Sequence, residues 1–413
     1  MVRVADCLMG AGKTSSAITY MNKHADEKFI YVTPYLDEAA RIKAGCPKLK
    51  FVEPSNKNEK YKFKKSLHTA ALIKAGKNIA TTHQAFRGYT KDMLEDIRAG
   101  GYTLFIDENC EVLEKYEFVT SDDIQAVVAA GYMTLDNGVY KVTDKEYNGI
   151  FFREFLQKTR DREMVCLCDS KQSVAYYWVL PPELITAFRN VIVMTYLFEG
   201  QSLYNMFKIY DIPFEYIGIH KDEAGFRFGE APGYVPEYVK DLDKKIHIIS
   251  SPKLNGVGDD YYALSKNWFE TNAEGVSTLK KNVANYYTNI YRDIPADKRL
   301  WGSYKGAFNK IKGKGYTKSF LTFNAKATNA YKGCNTLVYI ANIFMNGAEA
   351  SFYRSHGIEV DQDRYALSIM VQWIWRSAIR DGEEIQIYIP SRRMRTILQD
   401  WINSFHNGGD ANV

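Results

Sequence analysis

A glycine-rich loop directly after a short apolar segment is the feature that most restricts how this chain can fold. Residues 2–6 read VRVAD and residues 7–14 read CLMGAGKT. Glycines allow backbone N–H groups to approach phosphate oxygens, and a helix that starts after the loop turns its positive end toward them. A strand, such a loop and a helix in succession predict a phosphate site at the edge of a parallel sheet.

The loop predicts a nucleotide-binding site made by Gly10, Ala11, Gly12, Lys13, Thr14 and Ser15. In a loop of this spacing the lysine reaches the β- and γ-phosphates, and the threonine hydroxyl holds Mg²⁺. We therefore expect ATP and Mg²⁺ as ligands, with Lys13 as a catalytic residue and Thr14 as a magnesium ligand. Cys7 stands where many such loops have glycine. This is a small departure, because the turn needs only a small residue there.

Strand-like and helix-like segments alternate along the first part of the chain, and a second series of strands follows in the last third. Alternation of this kind is typical of parallel sheets covered by helices. We therefore predict the class α/β, with parallel sheets in two tandem domains, 1–230 and 231–413. One predicted strand of the second sheet is SFLTFNA, residues 319–325.

A segment at about 112–190 breaks this alternation. Its sequence SDDIQAVVAAGYMTLDNGVYKV indicates a helix followed by a hairpin that turns at the Asn-Gly pair 137–138. An Asn-Gly pair is a strong signal for a tight hairpin turn. We interpret the segment as an insertion in the first domain.

Two acidic residues end an apolar, strand-like segment, LFIDEN at 104–109. The first, Asp107, is placed to bind Mg²⁺ through water, and the second, Glu108, to orient or deprotonate an attacking water. An Asp-Glu pair alone is usually a solvated turn. Together with the phosphate loop, it predicts hydrolysis of the nucleotide rather than passive binding.

Three polar residues recur at a spacing of four in the segment VQWIWRSAIR. If this segment is one helix, Gln372, Arg376 and Arg380 share a face. Trp373 and Trp375 then point into the interior. Arginines on such a face can stabilise the charge that develops on a γ-phosphate during hydrolysis. We therefore expect the glutamine and both arginines to be catalytic.

These blocks, in this order, resemble those of superfamily 2 helicases, and above all small helicases encoded by bacteriophages. The resemblance implies two tandem RecA-like domains and a motor that hydrolyses ATP. The segments YVTPYLDEA, IATTHQAF and FNAKATNAYKGCN are similar to the family's strand-contacting motifs. The nucleic-acid-binding residues that the resemblance implies are Thr33, Pro34, Thr81, Thr82, His83, Thr328 and Asn329.

The chain departs from the family pattern in two places. Arg380 lies one residue further from Gln372 than the usual spacing, and the segment between Thr328 and Gly333 is one residue short. The role of the arginine finger therefore stays open between Arg376 and Arg380.

The composition of the chain agrees with binding of single-stranded nucleic acid. The formal net charge is +5, and lysines are interleaved with Tyr or Phe at 48–65 and 305–318. Basic side chains hold phosphates, and aromatic rings stack bases. The six cysteines are scattered, and we expect neither a secretory signal nor a membrane span. We therefore expect a cytoplasmic protein, in the host cytoplasm if it is viral, without membrane partners.

The sequence as a whole predicts an ATP-dependent translocase or helicase in phage replication or recombination. Its expected partners are single-stranded or forked DNA, with RNA as a second candidate strand, and replication proteins. The insertion is a candidate wedge for strand separation or a docking element. Two alternatives stay open: a DNA-packaging motor ATPase, and an origin-binding or loader protein that uses ATP as a switch. Polarity and oligomeric state also stay open.

Overall fold

The computed structural model describes residues 1–34, 36–57, 59–117, 119–168, 174–323 and 330–405. The chain divides into two compact units. The first contains residues 1–6, 13–231 and 346–360, and the second contains residues 7–12, 232–345 and the chain from residue 361 onward. Among the described residues, no helix combines the length and the apolar character that crossing a membrane requires.

The strands are β1 (Val2–Asp6), β2 (Phe29–Thr33), β3 (Ile79–Thr82), β4 (Thr103–Asp107), β5 (Leu113–Tyr116), β6 (Met133–Asp136), β7 (Val139–Val142), β8 (Glu163–Cys168), β9 (Val174–Val179), β10 (Asn190–Thr195), β11 (Phe214–Asp222), β12 (Gly225–Glu230), β13 (Ile246–Ile248), β14 (Arg299–Gly302), β15 (Thr336–Tyr339) and β16 (Ile385–Tyr388). The helices are α1 (Lys13–Lys23), α2 (Leu36–Gly45), α3 (Lys65–Lys74), α4 (His83–Phe86), α5 (Lys91–Gly100), α6 (Ser121–Ala129), α7 (Arg153–Thr159), α8 (Glu183–Thr186), α9 (Ser202–Ile209), α10 (Leu242–Lys245), α11 (Pro252–Asn255), α12 (Lys266–Thr271), α13 (Ala273–Asn285), α14 (Phe308–Ile311), α15 (Gly347–Ser355), α16 (Gln362–Ile374) and α17 (Arg392–Ser404).

The main sheet of the first unit has the strand order β12-β11-β1-β10-β4-β2-β3. All of its neighbouring strands run parallel except the β11–β12 pair, which is antiparallel. In parallel sheets, crossover helices cover both faces, so the strands are apolar throughout. Strands β2, FIYVT, and β4, TLFID, are accordingly buried along their whole length.

The register of this sheet brings the strand ends together. Val4 of β1 pairs with Val193 of β10, and Val193 pairs with Ile106 of β4. Ile106 pairs in turn with Val32 of β2, which pairs with Thr81 of β3. Because the strands are parallel, their carboxyl ends lie at one edge, where ligands of such sheets bind.

The inserted segment forms a sheet of its own, in the order β5-β9-β8-β7-β6, and its neighbouring strands are antiparallel. The predicted helix is α6, and the predicted hairpin is β6–β7. Asn137 and Gly138 both have positive φ values at its turn, 49° and 81°, as a two-residue hairpin turn of this type requires. Ile124 of α6, Phe155 of α7 and Trp178 of β9 belong to a separate small core.

The second unit contains a parallel sheet in the order β13-β16-β15-β14. Trp301, Val338 and Tyr388 from three of its strands share a core with Leu279 and Val283 of α13.

The expected strand at 319–325 is wrong for its described part, residues 319–323. There a 3₁₀ turn at Thr317–Ser319 is followed by a bridge from Phe320 to Trp301. The sheet edge is formed instead by β14, whose sequence RLWG gave too short a pattern to be recognised.

The predicted fold class is confirmed. The chain is an α/β protein whose two units each contain a parallel sheet, and the first unit carries an inserted helix and hairpin. The grouping of α15 with the first unit is an addition that nothing in the sequence indicated.

Candidate nucleotide site

The phosphate-type loop connects the end of β1 to the start of α1. Gly10 and Gly12 have φ values of +80° and +93°, a region that glycine adopts without steric cost. The N–H of Ala11 donates a hydrogen bond to the backbone oxygen of Leu8 at 3.2 Å. Helix α1 begins at Lys13, so the side chains of Lys13 and Thr14 belong to its first turn.

A tyrosine that the sequence analysis missed contacts this loop. Residues 7–12 group with the second unit, in which the Tyr238 hydroxyl donates a hydrogen bond to the backbone oxygen of Met9. The Tyr238 ring packs on Trp375, with ring centroids 5.6 Å apart. Burial raises the pKa of Tyr238, so its hydroxyl remains a donor at neutral pH. The surrounding segment is rich in glycine and proline and contains both Tyr234 and Tyr238, and no sequence pattern distinguishes Tyr238 as a contact of the loop.

Asp107 is a buried carboxyl at the carboxyl end of β4, with 8% of its surface exposed. Its pKa is raised to about 7, mainly by burial and also by the nearby carboxylates of Glu108 and Glu38, against the opposing charge of Lys13. A buried acid beside other acids is costly to ionise unless a cation compensates it. The position is therefore suited to a carboxylate that binds a cation.

Glu108 follows in a strained backbone conformation, with φ at +65°. Residues other than glycine rarely adopt this region, and such strain is often kept at functional positions. The Glu108 N–H donates a hydrogen bond to the backbone oxygen of Met194 in β10 at 2.9 Å. Strand β10, which lies between β1 and β4, thus holds the backbone from which the Glu108 side chain extends.

Two further residues at this edge were missed. Glu38 of α2 adds negative charge near Asp107. Tyr31 of β2 is fully buried, and its hydroxyl lies beside Asp107 and Thr14, yet it makes no hydrogen bond of normal geometry within the described residues. Both lie in the segment YVTPYLDEA, which resembles a strand-contacting motif, and only the pairing of β2 with β4 brings them to the site.

Asp6, the last residue of β1, links the loop strand to the turn after β10. Its Oδ2 accepts a hydrogen bond from the N–H of Phe198 at 2.9 Å. Burial is the main cause that raises the pKa of Asp6, and the charge of Lys13 opposes it. Leu197 in the same turn has φ at +59°, an unusual conformation for a branched side chain.

The residues expected to contact nucleic acid divide by exposure. Thr33 and Thr81 are buried, so their side chains are not accessible to a strand in this conformation. Pro34, Thr82 and His83 are partly exposed at the same sheet edge. The Thr82 hydroxyl caps α4 by accepting from the N–H of Ala85 at 3.4 Å. The expected contacts Thr328 and Asn329 lie outside the described residues.

The expectation that Gln372, Arg376 and Arg380 share one helical face is wrong. Helix α16 ends at Ile374, and a 3₁₀ helix at Ala378–Asp381 follows. Gln372 and Arg376 are partly exposed, and Arg380 is exposed. All three belong to the second unit.

The burial of both tryptophans is as expected and explains the break. Trp373 and Trp375 are 1% and 4% exposed. Side chains two positions apart on a helix point in nearly opposite directions. Ending the helix between the two residues lets both side chains pack in the interior. The chain then continues to Ala378, whose N–H donates to the backbone oxygen of Cys334 at 2.8 Å.

Comparison with known sequences places the chain in a family. A family model described as the YonV C-terminal Rossmann-like domain matches residues 240–402. The SPbeta prophage-derived uncharacterized protein YonV of Bacillus subtilis (strain 168) is 38% identical to this chain over an aligned length of 413 residues. The alignment covers 98% of this chain and 99% of that protein. The chain belongs to the YonV family. The matched YonV domain contains strands β13 to β16 and the residues Gln372, Arg376 and Arg380.

Solved structures similar to this YonV-family chain are helicases at low sequence identity. An XPD helicase is 10% identical with a TM-score of 0.44, and the similarity covers 98% of this chain and 95% of that one. Xpd4 of S. tokodaii is 12% identical with a TM-score of 0.42, covering 97% and 93%. The DUF1998 helicase MrfA, bound to DNA and AMPPNP, is 10% identical with a TM-score of 0.34, covering 98% and 48%.

Proposed function

We propose that this member of the YonV family hydrolyses ATP to move along single-stranded or forked DNA and separate duplex. It would act in the cytoplasm of a cell that hosts the prophage or phage, in replication or recombination. The observation that carries the proposal is the placement of Lys13, Asp107 and Glu108 at one edge of the first parallel sheet. A phosphate-binding lysine beside two acids of different burial is the set of groups that nucleotide hydrolysis needs.

The residues present fit a magnesium nucleotide. The backbone N–H groups of residues 10–15 and the Lys13 ammonium would hold the phosphates. Thr14 and Asp107 would hold Mg²⁺, the latter through water. The fit rests on Asp107, because burial and two neighbouring carboxylates raise its pKa to about 7, and a cation would remove that electrostatic cost. Bound Mg²⁺ would neutralise charge on the phosphates.

Glu108 would orient the attacking water and accept its proton. Its side chain extends from a backbone that is hydrogen-bonded to Met194 of β10, so the main chain that carries it is held independently of a ligand. Gln372, Arg376 and Arg380 would stabilise the charge that develops on the γ-phosphate, and either arginine remains a candidate for the finger role. Pro34, Thr82 and His83 would contact the strand through side chains, and Thr33 and Thr81 through the backbone. Thr328 and Asn329 remain candidates on the resemblance alone.

The deciding experiment is steady-state ATP hydrolysis with and without single-stranded DNA, at low and high salt, beside a Lys13→Ala control. We expect single-stranded DNA to stimulate ATP hydrolysis strongly. The stimulation should be lost at high salt, because binding to the DNA phosphates releases counterions and therefore weakens as the salt concentration rises. Lys13→Ala should abolish hydrolysis under all conditions. Hydrolysis that ignores both DNA and RNA would contradict the motor and favour an ATPase that acts with a protein partner.

A further inference from the structure

A cavity of about 260 Å³ lies in the first unit, outside the nucleotide site. Its lining includes Lys65, Ser66, Thr82, Gln84, Tyr89 and Met93. These residues come from α3, from the end of β3 and from the segment containing α4 and α5. Because Thr82 ends β3 and precedes α4, the cavity lies at the carboxyl edge of the main sheet, the edge expected to face a bound strand.

The lining combines flat apolar surface with a few polar groups. Met93 and the aromatic Tyr89 are buried, whereas Ser66 and Gln84 are exposed at the rim. Tyr89 is 3% exposed, and its hydroxyl has no hydrogen-bond partner within the described part of the chain. Buried hydroxyls are seldom left without a partner. An apolar wall with hydrogen-bonding groups at its rim suits a planar ligand whose edge is polar, such as a nucleobase.

A strained basic loop leads directly into this cavity. Residues 60–65 read KYKFKK and contain four lysines and no acid. Lys62 and Phe63 are consecutive residues with positive φ, 51° and 56°. Neither is glycine, so the backbone is strained at both positions. The side chain of Phe63 is accessible to solvent, with 60% of its surface exposed.

The loop is anchored at its base. Tyr61 stacks on His68 of α3 with ring centroids 4.7 Å apart and planes inclined by 9°. Nδ1 of His68 accepts a hydrogen bond from the N–H of Ser55 at 3.1 Å. The exposed Phe63 and the lysines on either side of it are therefore presented on a fixed support next to the cavity.

We propose that the cavity holds one base of bound single-stranded DNA, turned out of the stack, while the loop lysines hold the flanking phosphates. Phe63 stacks on a neighbouring base. Stacking on aromatic rings beside a basic track is how strands are bound without sequence preference. The site deepens the proposed function and rests on it, because it needs a strand at this edge.

The test compares binding of a thymidine oligomer with binding of an equally long oligomer whose sugars lack bases. Wild-type protein should bind the thymidine oligomer at least tenfold more tightly than the abasic oligomer, because the abasic oligomer has no bases to contact the cavity or Phe63. Ser66→Trp fills the cavity and should weaken thymidine binding about tenfold while leaving the abasic oligomer within twofold. Leu67→Trp is the matched control, because Leu67 is exposed on the same helix and is not part of the lining.

A second variant tests the proposal if Ser66→Trp lowers the melting temperature too far for binding to be measured. Lys62→Ala with Lys64→Ala should weaken both oligomers equally and flatten the dependence of log Kd on log salt by roughly one to two. If wild type binds both oligomers equally and Ser66→Trp does not change this binding, the cavity does not hold a base. The proposed motor function would not be affected by that result. Failure of wild type to bind either oligomer at low salt would overturn the strand-binding function itself.

Discussion

The Nε2 atom of His83 lies 2.8 Å from the backbone oxygen of Asp107. A carbonyl oxygen can only accept a hydrogen bond, so Nε2 carries the hydrogen and Nδ1 does not in the neutral ring. Burial lowers the pKa of His83 to about 4, which keeps the ring neutral under physiological conditions. The contact ties the end of β3, expected to face the strand, to the end of β4, which carries the acidic pair.

His83 should therefore be a structural link between these two strand ends. We expect His83→Leu to lower the free energy of unfolding by about 1–2 kcal/mol, because the Asp107 carbonyl loses its donor in a buried setting. His83→Gln keeps a side-chain N–H and should lose less than half as much. Urea denaturation of both variants measures the difference. Equal losses would show that the hydrogen bond contributes little and that ring packing dominates.

Glu108→Gln should separate a motor from an ATP switch. The substitution keeps the size and the backbone of the residue but removes the base, so kcat should fall by about 10²–10⁴-fold. The affinity for ATP should stay within a few-fold, as nucleotide titration would measure. Glu111→Gln, an exposed acid three positions later, is the control and should keep the wild-type rate. If Glu108→Gln still remodels DNA when bound to ATP, the motor proposal is wrong.

Asp6 should matter through its hydrogen bond to the Phe198 N–H rather than through its charge. Asp6→Ala leaves that buried N–H without an acceptor, so we expect a loss of about 1–3 kcal/mol in the free energy of unfolding. Asp6→Asn keeps an oxygen acceptor and removes the cost of burying a charge. It should be at least as stable as wild type at neutral pH. A large loss for Asp6→Asn, measured in the same urea titration, would mean that the negative charge itself is needed, for example opposite Lys13.

Glu349 on α15 should make stability depend on pH. Its Oε1 accepts a hydrogen bond from the Ser202 hydroxyl at 2.9 Å, and burial together with Glu111 raises its pKa above the ordinary 4.5. The folded protein therefore holds a proton on this group more tightly than the unfolded chain does. Its contribution to the free energy of unfolding declines as pH rises from 4.5 through the raised pKa.

Glu349→Gln should remove this dependence while keeping an oxygen acceptor for Ser202. Melting temperatures of wild type and variant, measured between pH 4.5 and 8, should diverge with increasing pH, and the variant should be the more stable at pH 8. Parallel curves would show that Glu349 ionises as it does in water.

The nucleotide loop and the acidic pair could be predicted from sequence because each is a local pattern. Glycines at positions 10 and 12 are needed by the backbone itself, and their positive φ values reflect this. Asp107 and Glu108 follow an unbroken apolar strand, and the structure places them at its carboxyl end.

The insertion was also predictable in outline, because an Asn-Gly turn between short strands is specified by two residues. Its five-stranded sheet was not, because antiparallel partners far apart in sequence share no local signal.

The sequence by itself determined that one strand precedes the nucleotide loop and another precedes the acidic pair, because backbone preference and apolar patterning act over a few neighbours. Only the tertiary structure decided that β10 lies between β1 and β4, that Tyr31 and Glu38 reach Asp107, and that α16 stops before Arg376. Each of these outcomes depends on burial among residues distant in the chain. Local sequence patterns are compatible with several strand orders and helix ends, and burial of side chains against distant parts of the chain selects one of them.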